Sequence, residues 1–126
     1  MSSDTRKVVL AAFDAFRTAL RSKDWEPFLD CFTEDIEFWE PVPGEFNGRN
    51  VGKGKLREFY TSQGERLDLS IEDPLSLAVE GERAVLEYAE TGTLDGRPFS
   101  NRVAISYVVR DGKIAVSREY LGDVAG

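Results

Sequence analysis

The apolar residues have helical spacing near the start of the chain and strand spacing through its second half, and this change constrains the fold more than any other feature. Near the start they recur at helical intervals of four, three and four residues, at Val9, Phe13, Phe16 and Leu20. Beyond residue 66 they alternate with polar residues, and Asp-Gly pairs at 95–96 and 111–112 separate the last three runs. An Asp-Gly pair between alternating runs is typical of a β-hairpin. The sequence therefore predicts helices first and an antiparallel meander afterwards.

The predicted helices cover residues 5–22, a second segment capped by Asp24 with Pro27 in its first turn, and a third segment ending at Gly64. The second helix is expected to bury Trp25, Phe28, Leu29 and Phe32, and the third Leu56, Phe59 and Tyr60. The predicted strands cover residues 36–40, 67–71, 75–79, 83–94, 99–110 and 113–121. The turn-rich stretch 41–54 is predicted to be an ordered loop.

Helices grouped in one half of the chain, together with an antiparallel sheet, predict an α+β domain. The order is helix, helix, strand, helix and then a meander, and 126 residues suit a single domain spanning 1–126. A strongly curved sheet wrapped around three helices would leave a cavity between the two layers. Such a cavity is where a small molecule would bind.

Composition excludes several classes of function. A net charge of −7 disfavours binding to nucleic acid or to an anionic membrane surface. A lone Cys31 and the lack of an apolar run or a secretory signal predict a cytoplasmic protein. There is no histidine, which excludes Ser-His-Asp and Cys-His catalysis and histidine-ligated metal. We therefore expect no metal and no cofactor, and acid–base chemistry must use carboxylates, tyrosine, lysine or water.

Three polar residues continue apolar strand faces. Glu40 follows Ile36 and Phe38, Glu90 follows Leu86 and Tyr88, and Asn101 begins the face of Val103, Ile105, Tyr107 and Val109. A carboxylate in an apolar pocket has a raised pKa and becomes a better base near neutral pH. The alternatives are that Glu40 reaches solvent, that Glu90 reaches solvent or pairs with an arginine, and that Asn101 binds backbone.

For the last predicted strand, alternation alone does not decide which set of side chains faces the core. Alternation allows either Val116, Arg118 and Tyr120 or the set Ala115, Ser117, Glu119 and Leu121 to face the core.

Three segments appear in the same order as in a known superfamily: DWEPFLDCFTEDIEFWEP at 24–41, GKLREFY at 54–60 and DGKIAVSREYLGD at 111–123. With the element order, they resemble the nuclear-transport-factor-2-like superfamily, in its SnoaL-like and ketosteroid-isomerase-like branch. The resemblance implies a cone, in which a curved antiparallel sheet surrounds three helices and encloses a pocket. It also implies a homodimer through the outer face of the sheet, with Trp39 as a candidate contact.

The resemblance further implies roles for single residues. In ketosteroid isomerase the base is an aspartate before a proline at the end of the first strand, and Glu40-Pro41 occupies that place. Tyr60 matches a tyrosine that supports the oxyanion hole of that enzyme. The two oxyanion-hole residues themselves are replaced, by Phe16 and Ile105. On the last strand, Glu119 becomes a second carboxylate facing the pocket.

The predicted catalytic residues are thus Glu40, Glu119 and Tyr60. The predicted substrate-binding residues are Phe16, Phe38, Phe59, Tyr88, Glu90, Asn101, Val103, Ile105, Ser117 and Leu121. The leading hypothesis is a cofactor-independent isomerase, cyclase or hydratase that moves a proton on an apolar carbonyl compound. The alternative hypothesis is a non-catalytic ligand-binding or dimerisation module of the same fold.

Overall fold

The computed structural model describes residues 2–122, with side chains from residue 4 onward, so Met1 and residues 123–126 lie outside it. The last residue of the 111–123 segment is among those outside. The helices are α1 (Ser2–Ser22), α2 (Glu26–Leu29) and α3 (Lys53–Arg66). The strands are β1 (Phe32–Glu40), β2 (Gly48–Val51), β3 (Leu67–Ile71), β4 (Ser76–Glu80), β5 (Arg83–Leu94), β6 (Arg97–Arg110) and β7 (Lys113–Leu121). The predicted α+β order of helices followed by a meander is confirmed.

The main differences from the prediction lie in the second helix, the predicted loop and the end of the third helix. The second helix is a single turn, and Phe32 already begins β1. The predicted loop contains the short strand β2, which pairs with β1 in antiparallel orientation. Helix α3 continues past Gly64 to Arg66. A Cβ atom at residue 64 would lie 2.8 Å from Cζ2 of Trp25, so this glycine makes room for an indole ring rather than ending the helix.

The seven strands form one curved sheet in the order β2-β1-β7-β6-β5-β3, and β4 pairs with the other part of β5. The sheet is mixed rather than wholly antiparallel, because β1 runs parallel to β7 and places Phe38 beside Ser117. Parallel neighbours need a long connection. In the sequence, α3 and the meander up to β6 lie between β1 and β7. In the sheet, β1 pairs with the edge of β7 that does not pair with β6.

The two Asp-Gly pairs form tight hairpin turns, as predicted. Asp95 and Gly96 have φ angles of 52° and 80°, and Asp111 and Gly112 have 53° and 78°. Two successive positive φ angles match the right-handed twist of the flanking strands. These turns set the registers of β5 with β6 and of β6 with β7.

The core lies between the helices and the concave face of the sheet. Its centre is aromatic: the rings of Trp25 and Tyr60 stack with centroids 5.2 Å apart, and Phe28 meets Tyr60 edge to face at 5.0 Å. Ile36, Phe38 and Leu86 contribute fully buried side chains from the sheet. No helix within residues 2–122 has both the length and the apolar composition that a membrane crossing requires.

Candidate active site

A cavity of about 430 Å³ lies between the helices and the concave face of the sheet. Its wall is largely apolar, but carboxyl, amide and phenol groups converge on it, as is usual for a small-molecule site. The predicted site residues that border it are Phe16, Phe59, Tyr60, Tyr88, Glu90, Asn101, Glu119 and Leu121.

The other predicted residues are placed away from this cavity wall. Phe38 is fully buried in the core, and Val103 and Ser117 are also buried. Ile105 borders only a gap of about 10 Å³ beneath α1. Glu40 is 4% exposed and lies behind the wall rather than on it. As substrate contacts, these residues remain predictions.

The parallel pairing of β1 with β7 brings two carboxyl groups together. Phe38 is level with Ser117, so the residues two positions further on, Glu40 and Glu119, share the same face of the sheet. Their side chains form a hydrogen bond with each other. The open question about β7 is thereby resolved: Ser117 is buried, whereas Tyr120 is 56% exposed on the outer face.

The paired carboxyls are hard to ionise. Burial raises the pKa of Glu40 well above its ordinary value, and repulsion by Glu119 and the shared hydrogen bond raise it further. Burial also raises the pKa of Glu119 to about 8, with a contribution from the charge of Glu90, while the hydrogen bond with Glu40 opposes this shift. Two acids that share a hydrogen bond titrate as a pair. Near neutral pH the pair therefore retains at least one proton.

Glu90 and Asn101 form a second polar pair on the wall. They are register partners on β5 and β6, and Nδ2 of Asn101 donates to Oε1 of Glu90 over 3.4 Å. Burial raises the pKa of Glu90 to about 7, and the bond from Asn101 opposes this shift. Of the alternatives considered for these residues, neither an arginine partner for Glu90 nor a backbone bond from the Asn101 side chain is present among residues 4–122.

Three tyrosines surround the carboxyls: Tyr60, Tyr88 and Tyr107. Burial, followed by the nearby carboxylates, raises the pKa of each well above the ordinary phenol value. Their hydroxyl groups therefore remain protonated and can donate hydrogen bonds. Tyr107 was not among the predicted site residues, although its position on the Ile105 face of the predicted strand was an available signal. Its pairing with Ser117 follows a register shift between β6 and β7 and is known only from the structure.

Several lining residues carried no usable sequence signal. Only the fold brings together the further lining residues, which come from α3, β6 and two loops: Trp25, Val42, Gln63, Arg66 and Phe99. Among the side chains described, Arg66 is the only cationic one on this wall, and it pairs with Asp95 at 2.8 Å. No cluster of three His, Cys, Asp or Glu residues in the described part of the chain is arranged to hold a metal ion.

The buried carboxyls predict that the protein loses stability as pH rises. For Glu90 the folded-state pKa of about 7 exceeds the ordinary 4.5, so the folded protein binds this proton more tightly. The stabilisation is complete below about pH 4.5 and is lost as pH rises through 7. One pKa unit corresponds to about 1.4 kcal/mol, so the loss from Glu90 reaches about 3 kcal/mol.

Thermal unfolding between pH 5 and pH 9 measures this loss. The wild-type Tm should fall, and the Glu90→Gln variant should show a shallower fall, since its amide does not ionise. Parallel curves for the two proteins would contradict the assignment of Glu90 as a buried acid.

Comparison with known proteins places this geometry in a family. Residues 13–117 match the SnoaL-like domain. A nuclear-transport-factor-2-like protein from Anabaena variabilis ATCC 29413 is 38% identical, with a TM-score of 0.90 over 98% of this chain and 92% of the other. No curated protein sequence matches.

Two further structures share the fold at lower identity. A protein from Xanthomonas campestris pv. campestris, provisionally named a polyketide cyclase, is 18% identical, with a TM-score of 0.75 over 94% of this chain and 90% of the other. A protein from Kribbella flavida DSM 17836, provisionally named a ketosteroid isomerase, is 19% identical, with a TM-score of 0.72 over 99% of this chain and 82% of the other. With most of its length matched and the cone fold shared, the chain belongs to the SnoaL-like family of the nuclear-transport-factor-2-like superfamily.

Proposed function

We propose that the cavity binds a small, largely apolar carbonyl compound, and that Glu119 and Glu40 move a proton on it without a cofactor. The observation that carries this proposal is the position of the carboxyl pair. Glu119 borders the cavity, and its hydrogen-bonded partner Glu40 is buried behind it. Acid–base catalysis needs a group whose pKa lies near the working pH, and burial moves the pKa of Glu119 to about 8.

The singly ionised pair can act as both base and acid. The carboxylate takes a proton from the carbon next to the carbonyl group, the C–H electrons move into an enolate, and negative charge develops on the oxygen. The neutral carboxyl of the pair or the Tyr60 hydroxyl then donates a hydrogen bond to that oxygen. Where a C=C bond is conjugated with the enolate, returning the proton to the far end of the conjugated system isomerises the substrate. Where a second carbonyl group of the same molecule is in reach, attack of the enolate carbon on it closes a ring, and the proton passes to the new alkoxide.

Deuterium exchange tests this step without knowledge of the natural substrate. Aryl ketones such as 2-tetralone are incubated with the protein in D₂O, and loss of the α-proton signal is followed by NMR. We expect exchange faster than in buffer, with a rate that rises between pH 6 and pH 9 because the pair must lose one proton to act as a base. Exchange that never exceeds the buffer rate, despite measurable binding of the ketone, would contradict catalysis.

Binding without catalysis is the second candidate function. It is favoured by one observation: the positions of the two oxyanion-hole residues hold Phe16 and Ile105, which carry no hydrogen-bond donor on their side chains. An enolate would then depend on the tyrosine hydroxyls and the carboxyl pair. The exchange experiment separates the two functions, because a binding protein would retain the ketone and leave its α-protons in place.

The outer face of the sheet supports the proposal of a homodimer. Val85 on β5 is 43% exposed and Tyr120 on β7 is 56% exposed, and both point away from the core. The candidate contact Trp39 is half-buried, with the guanidinium of Arg118 5.9 Å from its ring centre. Sedimentation equilibrium at micromolar concentration should give twice the mass of 14.1 kDa. A single 14.1 kDa species would exclude the dimer.

A further inference from the structure

A buried hydrogen-bond acceptor on the cavity wall has no donor among the described residues. Two carboxyl groups border the cavity, from Glu90 and Glu119, and a third, from Glu40, lies behind Glu119. Oδ1 of Asn101 is buried and accepts no hydrogen bond from the described residues, and Asn101 as a whole is only 4% exposed. A buried acceptor without a donor has lost its hydration without compensation, which destabilises the empty site. The site therefore favours a ligand that brings donors.

Positive charge is also scarce in this region. Arg66, the one cationic side chain on the wall within residues 4–122, is already bound to Asp95 through Nε and Nη2. No described cation is left to neutralise Glu90 or Glu119 when they ionise. A ligand that carries its own positive charge would remove this penalty.

Aromatic rings form much of the remaining wall. Phe16, Trp25, Tyr60, Tyr88 and Phe99 border the cavity from both layers of the fold. The faces of aromatic rings carry partial negative charge and attract organic cations, an effect that strengthens when water is excluded. Rings and carboxyl groups together form the chemical environment that binds an ammonium group on an apolar frame.

From these observations we propose that the ligand carries a protonated amine, held by Glu90 beside the aromatic wall. Glu90 is the better anchor of the two carboxyls that border the cavity, because the amide of Asn101 orients it while Glu119 is bound to Glu40. An ammonium group has three donors and no acceptor, whereas a hydroxyl would add acceptors to a site already rich in them. The inference rests on the proposed function in using the same cavity, and it leaves the Glu119–Glu40 pair free for proton transfer.

The binding of a cation should depend on pH. The ionisable groups that face Glu90 are Tyr88 on its own strand, Glu119 on β7 and Tyr60 on α3, and Arg66 borders the same cavity. The tyrosines stay neutral, so the carboxyl groups set the charge. Because the pKa of Glu90 is about 7, an ammonium ligand that binds at pH 6.5 must displace its proton. Affinity should therefore rise towards pH 8, with proton release on binding.

The experiment compares two probes of nearly equal shape by titration calorimetry at pH 8: 2-(aminomethyl)naphthalene, which is charged, and 2-naphthalenemethanol, which is neutral. We expect the amine to bind at least tenfold more tightly than the alcohol, since a charge-assisted hydrogen bond is worth about 1.5–3 kcal/mol and 1.4 kcal/mol is tenfold. At pH 6.5 the titration is repeated in two buffers of different ionisation enthalpy. The observed binding enthalpy should differ between the buffers, because the protons released on binding are taken up by the buffer.

Two variants assign the effect to Glu90. Glu90→Gln keeps the size and polarity of the side chain but removes its charge, and it should bring the two affinities to within about threefold. Glu87→Gln is the matched control, because Glu87 lies on the same strand, is exposed on the opposite face and binds only the Ser76 hydroxyl among described side chains. This control should preserve the full preference for the amine.

Equal affinity for both probes in the wild type, or a preference unchanged in Glu90→Gln, would overturn the inference. These failures are distinct from failure of the proposed function. If the protein exchanges the α-protons of a ketone but shows no preference for the amine, the ammonium ligand is excluded and the proposed proton transfer stands. If the wild type prefers the amine, Glu90→Gln loses that preference, and no ketone is exchanged, the cation site stands and the proposed catalysis is excluded.

Discussion

Replacing Glu119 with glutamine is expected to reduce α-proton exchange by about 10²–10⁴-fold, the usual contribution of a general base or acid. Glu119 is the member of the carboxyl pair that borders the cavity, so it is the group that can reach a bound substrate. Glutamine preserves the volume and can still donate a hydrogen bond to Glu40, but it cannot accept a proton at any relevant pH. The loss should therefore appear in the rate of exchange, with binding of the ketone retained.

The same substitution should leave the fold at least as stable as the wild type above pH 8. Burial raises the pKa of Glu119 to about 8, so ionised Glu119 destabilises the folded state and a neutral amide does not. Thermal unfolding at pH 9 checks this: the Tm of Glu119→Gln should equal or exceed that of the wild type. If Glu119→Gln exchanges α-protons at the wild-type rate, Glu119 does not take part in the proton transfer.

Glu40→Gln provides a different measurement on the same pair. Glu40 is buried behind Glu119, and its hydrogen bond lowers the pKa of Glu119. If Glu119 is the base, replacing this carboxyl donor with a weaker amide donor should shift the rising limb of the pH–rate profile to higher pH while exchange persists through Glu119. If Glu40 itself takes the substrate proton, as its place before Pro41 predicts, Glu40→Gln should instead abolish exchange at every pH. The shape of the profile thus distinguishes a positioning residue from the base.

Much of the fold was predictable because local rules determine it. The helical spacing of Val9, Phe13, Phe16 and Leu20 and the two Asp-Gly turns depend on a few neighbouring residues, and the structure confirms both. Strand β2 was missed because GRNV has neither alternation nor enough length. Helix α3 was ended too early because the packing of Trp25 against Gly64 joins residues 39 positions apart.

The polar residues of the site were predictable as candidates, but their partnerships were not. Strand alternation identified Glu40, Glu90 and Asn101 as polar residues on apolar faces, and the structure places all three on the concave side. The hydrogen bond between Glu40 and Glu119 depends on the parallel pairing of β1 with β7. That pairing joins the two ends of the sheet-forming sequence, and no periodicity within either strand reports it. The family resemblance, rather than alternation, selected Glu119.

Replacing Gly92 with alanine is expected to destabilise the protein by about 3 kcal/mol or more, which is at the upper end for a single substitution. Gly92 pairs with Leu69 where β5 runs beside β3, and its φ angle is 153°. A Cβ atom there would lie 1.9 Å from the carbonyl oxygen of Asp68 and 2.9 Å from Cα of Leu69. Both contacts are with backbone, so no side chain can rotate away, and β3 must separate from β5.

The consequence reaches the cavity as well as the fold. Leu69 borders the cavity from β3, and Glu90, two residues before Gly92, borders it from β5. Separating the strands would displace that part of the wall, so binding of the naphthyl probes should weaken together with stability. This distinguishes Gly92→Ala from Glu90→Gln, which removes only the preference between the two probes.

Thermal unfolding with Gly54→Ala as the matched control measures the effect on stability. Gly54 lies in α3, where an added Cβ atom would have no neighbour within 4 Å. Alanine there should be neutral or stabilise the protein by up to about 1 kcal/mol, because it restricts the unfolded chain and favours the helix. Gly92→Ala should lower Tm by about 10 °C or more, at about 4 °C per kcal/mol for a chain of this size. A Tm within 2 °C of wild type would show that β3 and β5 are not held as closely at this point as their pairing indicates.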